Sequence, residues 1–450
     1  MHFNTYNCSS LLICLITSII VFNCSEDNDP ERVDNFTLEI DSILTLGGTK
    51  NEGAQSVIQT QDGGYAVIGH TQSMDGDIEG KSNESYDYWL LKFNASNLLE
   101  WQKTYGGTAD DRGTNLIQTN DGGYAIIGKS KSSDGDVSEN AGYDDFWITK
   151  LDENGSISWD YSFGYPGSDI PYSIIQTNDN GFFLSGVLDV SASNGLGNRL
   201  SNIQYRHAGG DYWVIKLNAN GIKEWSNYYG GTFTDTAYDA IQTNDSGYIV
   251  VGSSDSGDVD VSNTKGAYDF WVIKLSETGA IIWEKSFGGD QVDEARSISQ
   301  TADGNYLVVG DTRSANLDVS QNNGAADLWI IKISPEGALI WEKTLGGSNF
   351  DVGRSVSKTV DDGFLIAGSS RSYDGDLSNN NGQNDALILK INGNGELEWQ
   401  KTIGGSEVDF FYGAVELTDG SIVAVGDSSS SNEDIQENKG FTDLLILKTK

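Results

Sequence analysis

The sequence predicts an all-β fold, a seven-bladed β-propeller of four-stranded antiparallel blades whose ring is closed by the N-terminal strand, and three observations lead to it. Tryptophans Trp101, Trp159, Trp225, Trp283, Trp341 and Trp399 recur at spacings of 58, 66, 58, 58 and 58 residues, and a fixed period of this length marks a repeat architecture. Between them lie runs of four to seven residues rich in β-branched and aromatic side chains and bounded by Gly, Asn or Asp, a strand signature rather than a helical one. The two ends are complementary. Asp443-Leu444-Leu445-Ile446-Leu447-Lys448 ends the last unit without a Trp-bearing fourth strand, and residues 41–48 are a fourth strand with no blade before them. Pairing the two removes an open sheet edge.

Taken from the start of the chain, residues 1–23 read as a lipoprotein-type signal. Leu11 to Phe22 are apolar apart from Thr17 and Ser18, a length that suits the core of a signal peptide better than a transmembrane span. All three cysteines, Cys8, Cys14 and Cys24, lie in this region, so after cleavage only Cys24 remains and a lipid is its expected fate. The pattern departs from the usual one in having no Lys or Arg before Arg32 and in placing Asn23 ahead of the cysteine. An ordinary secretory signal cleaved here leaves the same domain unanchored. Residues 24–40 form an acidic tether, and 41–450 the propeller.

Within each unit the phrases repeat. Gln118-Thr119-Asn120-Asp121-Gly122-Gly123-Tyr124 leads through a turn into Ala125-Ile126-Ile127-Gly128, and Asp145-Phe146-Trp147-Ile148-Thr149-Lys150-Leu151 follows. These are strands A, B and C, with the tryptophan on an outer strand D. The last hairpin carries Gly155, Gly221, Gly279, Gly337 and Gly395, which permit positive φ. In the first unit Asn97 stands at that position, the non-glycine residue that tolerates the conformation best.

The loops carry the acids. Asp134-Gly135-Asp136 and Asp374-Gly375-Asp376 lie between strands B and C, and Asp145 and Asp385 stand just before strand C. Asp111 and Asp351 follow strand D. The D–A and B–C connections share one face of a propeller, so these oxygens form a rim there, while the A–B turns with Asp62, Asp121 and Asp179 face the other way. Carboxylate oxygens suit Ca²⁺, yet Asp and Asn also cap turns through backbone amides, and both readings stand at this point. Unit 3 is longer by 8 residues, all in its B–C loop, where Ala192 and Asn194 replace the acid pair. Arg199, Arg206 and His207 there introduce basic groups that suit an acidic partner, although surface loops also tolerate functionless insertions.

Composition excludes several classes. With 28 Lys plus Arg against 66 Asp plus Glu, a net charge of -38 argues against a nucleic acid partner. The histidines are His2, His70 and His207, too few for a histidine metal cluster or a Ser-His-Asp arrangement. The Gln-Thr-x-Asp-Gly-Gly-Tyr phrase, the Asp-Phe-Trp-x-x-Lys-Leu phrase and the Trp-x-Lys-x-x-Gly-Gly phrase together resemble the repetitive propeller lipoproteins of Bacteroidota over residues 41–450. Strand layout and tryptophan use are also similar to propellers of the quinoprotein dehydrogenase class, without a matching cofactor site. The resemblance implies a domain held on the outside of the outer membrane by acylated Cys24. The expected role is non-enzymatic: a cell-surface recognition or scaffold module that binds a protein or glycan on the loop-rich face. Rival readings are a carbohydrate-active enzyme using the loop carboxylates and a structural surface-layer component.

Overall fold

The computed structural model describes residues 38–197, 207–377 and 379–450. Signal residues 1–23, most of the tether, Cys24, Arg199 and Arg206 lie outside them. The described residues from Ile40 to Thr449 form 28 strands in seven four-stranded antiparallel sheets. Blade I holds strands A to D at Glu52–Gln59, Tyr65–Thr71, Asp87–Phe93 and Leu99–Tyr105. Blades II to VI repeat that order, with their A strands starting at Asp111, Ile170, Asp235, Asp293 and Asp351. Blade VII takes strands A to C from Asp409–Glu416, Ile422–Ser428 and Asp443–Thr449, and strand D from Ile40–Leu46. Ile43 opposes Leu447 and Leu44 opposes Ile446, so the head of the chain supplies the strand that its tail lacks.

Every C strand is buried on both faces because neighbouring sheets stack on it. Trp89, Trp147, Trp213, Trp271 and Trp329 are 0 or 1% exposed, each contributing roughly 2–3 kcal/mol through buried apolar area. The outer tryptophans join consecutive blades: Trp101 meets Tyr124 edge-on at 5.9 Å, and Trp159 meets Phe182 at 5.7 Å.

These rings also explain the hairpin glycines more fully than backbone conformation does. A Cβ on Gly221 would stand 2.8 Å from the Trp159 ring of the preceding blade, and one on Gly395 would stand 2.6 Å from Trp341. Asn97 (φ 62°) does share the left-handed conformation, but that requirement alone does not account for the exchange. The preceding strand D is the N-terminal one, where Ser42 replaces the tryptophan, and Asn97 Nδ2 donates to Ser42 Oγ at 2.9 Å. With no ring to clear, a side chain fits.

One contact ties the two most recurrent phrases together. In six blades the lysine of strand C reaches the aspartate of the A–B turn: Lys92 to Asp62 at 2.8 Å, Lys150 to Asp121 at 3.0 Å, Lys216 to Asp179 at 2.8 Å, Lys274 to Asp245 at 2.6 Å, Lys332 to Asp303 at 2.8 Å, and Lys390 to Asp361. Burial opposes ionisation of Asp62 and Asp179, but their lysines and the neighbouring threonines hold both down to about 2. Among the described residues the structure is all-β apart from one helical turn, Val190–Ser193, inside the unit 3 insertion.

Candidate functional site

Each A strand begins at a buried acid, or in blade III one residue after it, and outside blade III hydrogen bonds fix that acid from at least three donors. Asp111 accepts from the Gly107 amide at 2.8 Å and from the hydroxyls of Ser130 and Ser132 at 2.5 and 2.7 Å. Asp351 is held identically by the Gly347 amide, Ser370 and Ser372 at 2.8, 2.6 and 2.7 Å. The Asp-Gly-Asp loop then closes over the same corner. Asp134 accepts from the Thr108 amide at 2.8 Å and Asp136 from the Gly106 amide at 3.2 Å. Asp374 and Asp376 accept from the Ser348 and Gly346 amides at 2.8 and 3.2 Å.

The four acids of one blade are therefore divided between two places. Asp111, Asp134 and Asp136 gather on the Gly106–Gly107 corner, where Asp87 of blade I joins them. Asp145 instead accepts from the Ala141 amide at 2.6 Å and turns to Gly164, towards blade III. Likewise Asp351, Asp374 and Asp376 meet Asp327 of blade V, whereas Asp385 accepts from the Asn381 amide at 2.7 Å and faces Gly404 and Asp409. At Gly346 a Cβ would come within 2.4 Å of Asp327 Oδ1, so only glycine passes between the paired carboxylates. Burial pushes Asp327 and Asp385 up to about 6, and the acid across the corner adds to it. The Oδ1 atoms of Asp145, Asp211, Asp269, Asp327, Asp385 and Asp443 are buried without a hydrogen-bond partner. Among the described residues no group of three or more His, Cys, Asp or Glu side chains is arranged to hold a metal ion.

Blade III departs from this plan. Asp169 accepts from the Asp189 and Tyr165 amides, each at 2.8 Å, and the one-turn helix capped by Asp189 takes the place of the Asp-x-Asp loop. Of the three basic residues named from the insertion, His207 is described. Its Nδ1 lies 2.5 Å from Asp211 Oδ2 and its ring packs edge-on against Tyr228 at 5.0 Å. Burial works against the charged ring, but Asp211 outweighs it and raises the His207 pKa, while burial pushes Asp211 itself up to about 6.

A second departure from the repeat lines the central channel. In every blade the A–B ladder slips by one residue, a β-bulge on strand A. The bulged residues are Gln55, Thr114, Tyr172, Tyr238, Arg296, Arg354 and Tyr412, and all seven line one cavity of about 330 Å³. A bulge re-aims a side chain out of the ladder, and here it turns one residue per blade towards the axis. The column is visible in the sequence one position before Ser173-Ile174-Ile175-Gln176-Thr177 and its counterparts. Nothing singles it out there, because the positions on either side vary as well and strand periodicity does not reveal a bulge.

No family model matches the chain. The regulatory protein FlaEY of Caulobacter vibrioides is 20% identical over 403 residues, 81% of this chain and 41% of that protein. The chain thus spans less than half the length of the curated relative it matches. Among solved structures, Sqt1 from Chaetomium thermophilum shares 12% identity at a TM-score of 0.45, covering 91% of this chain and 99% of that one. The Neurospora crassa Pan2 WD40 domain shares 8% at 0.48, covering 92% and 97%. Nothing about ligand or activity follows from any of them.

Proposed function

We propose that this propeller is a non-enzymatic recognition or scaffold module that takes a protein partner on the face formed by the D–A corners and B–C loops. One observation carries the reading: the five exposed aromatic side chains among the described residues, Tyr143, Phe233, Phe350, Tyr373 and Phe441, all lie on that face, four of them 60 to 71% exposed. Exposed aromatics beside cationic side chains are the composition of a protein interface. Lys131 stands 4.6 Å over the Tyr143 ring, and Arg371 and Arg313 stand 5.6 and 5.9 Å from Phe350. The clasped loops hold these rings on a rigid base, which lowers the ordering cost of binding.

Acylated Cys24 is proposed to hold the domain on the outer membrane surface; absence of metabolic acyl label from the wild-type chain removes the anchor. Calcium at the rim is proposed only where an acid keeps a free oxygen, as at Asp145 and Asp385. Identical melting in excess calcium and in chelator ends that proposal. For the module itself, surface extracts are passed over the full chain and over a variant with Tyr143, Tyr373 and Phe441 changed to Ser, with a glycan array and a hydrolysis screen in parallel. Saturable protein capture lost in a variant of unchanged melting temperature is the expected result. Glycan binding without capture makes the partner a sugar, and turnover makes the protein an enzyme.

A further inference from the structure

Away from the rim, the bulged channel residues of five consecutive blades read Tyr172, Tyr238, Arg296, Arg354 and Tyr412, while the far side of the axis carries only Gln55 and Thr114. Two guanidiniums on neighbouring strands, flanked on both sides by phenol rings, stand out in a chain of net charge -38. They differ in how they are satisfied. Arg296 Nη2 donates to Glu294 at 2.8 Å and its guanidinium lies 4.3 Å from the Tyr238 ring. Arg354 lies 5.0 Å from the Tyr412 ring and forms no ion pair among the described residues. The Nε atoms of both are buried and have no hydrogen-bond partner.

The nearby acids do not supply a direct counter-ion to Arg354. Asp239 is occupied by the hydroxyls of Ser173 and Ser297, each at 2.9 Å, and by the amides of Ala240 and Ile298 at 2.8 and 3.0 Å. Asp311 and Asp427 feel the charge of Arg354 but lie beyond salt-bridge reach. A guanidinium whose Nε–H has no acceptor and whose charge has no ion-pair partner keeps bonding capacity suited to an oxyanion. The phenol rings beside it suit an organic body rather than a bare ion.

We infer that the channel binds a small organic carboxylate, with Arg354 as its principal anchor, Arg296 as a second donor, and Tyr172, Tyr238 and Tyr412 flanking the organic part. A single negative charge fits because Glu294 already offsets one of the two arginines. This binding is independent of the protein partner proposed for the rim.

The test is calorimetric titration of the full chain with glucuronate, benzoate and acetate, with glucose and inorganic phosphate as comparison arms. Saturable binding of at least one carboxylate is expected, with no heat from glucose and weaker binding of phosphate. Arg354→Gln is expected to weaken the carboxylate by about tenfold or more, the effect of removing one charge-assisted bond. Should that variant fold poorly, phenylglyoxal footprinting of the wild-type chain reads the same contact, since bound carboxylate must shield Arg354. Failure of all three carboxylates, stronger binding of phosphate, equal binding of glucose, or no change on losing or labelling Arg354 overturns the inference.

Discussion

The junctions between blades and the channel through their centre are built on the same strands, yet one repeats its polar side chains and the other varies them. At a junction the acids recur in nearly every unit: the acid that opens strand A spends its oxygens on a corner amide and on neighbouring hydroxyls, while the acid of strand C keeps one buried oxygen unmatched. In the channel the residues change from blade to blade, and two arginines keep buried N–H groups unmatched. Recurrence marks what every blade needs in order to stack. Departure from it, at positions that a bulge has taken out of the ladder, marks what the assembled ring presents to its channel.

The sharpest way to break that contrast is to remove its framework. Deleting residues 40–46 strips strand C of blade VII of its partner, and the loss is expected to be on the order of 5 kcal/mol or more from ladder bonds and apolar burial. Denaturant melts measure it, and unchanged stability would mean that ring closure is not needed for the junctions to form. Next in size, Asp293→Ala leaves the Gly289 amide and the hydroxyls of Thr312 and Ser314 without their acceptor, at an expected cost of about 3 kcal/mol. Arg354→Gln in the channel is expected to cost less, about 1 kcal/mol, because it loses only its contacts with the Phe410 and Tyr412 rings and no hydrogen bond or ion pair among the described residues. A comparable loss at both sites would erase the distinction.

The junction carboxylates also predict a pH dependence. Burial pushes Asp87, Asp169 and Asp235 up to about 7, and Asp269, Asp327 and Asp443 up to about 6. The folded chain therefore keeps protons that the unfolded chain releases near pH 4, so their contribution is complete below that and declines as pH rises through 6 to 7. Melting temperature is expected to be higher at pH 5 than at pH 8, with a shallower slope in Asp269→Asn. A flat or rising profile would sink the assignment. The A–B turn acids act in the other direction and at lower pH, since their stabilisation is lost as pH falls towards 2.

The smallest expected effect concerns the middle of the Asp-x-Asp loop. Gly76, Gly135 and Gly375 share φ of 68° there, and Val259 is held at 61°, a conformation costly for a β-branched side chain. Val259→Gly is expected to stabilise the chain by about 0.5–1 kcal/mol after the entropy of the added glycine is counted. A destabilised variant would show that the Val259 side chain has a packing role outweighing its backbone strain.

Read along the chain, the amino acids alone determined the number of blades, the identity of their strands, the turn glycines and the donor strand at the N-terminus. All of these are local patterns repeated at a fixed interval, and a repeat exposes them. They did not determine which acids meet. Asp145 and Asp111 belong to one unit but serve different corners, because each corner is assembled from the C strand of one blade and the A strand and loop of the next. Nor did they reveal that Arg296 and Arg354, 58 residues apart, share a cavity with Tyr172 and Tyr412. Closing the ring places seven bulges around one axis, and that is a property of the assembled sheets rather than of any segment within them.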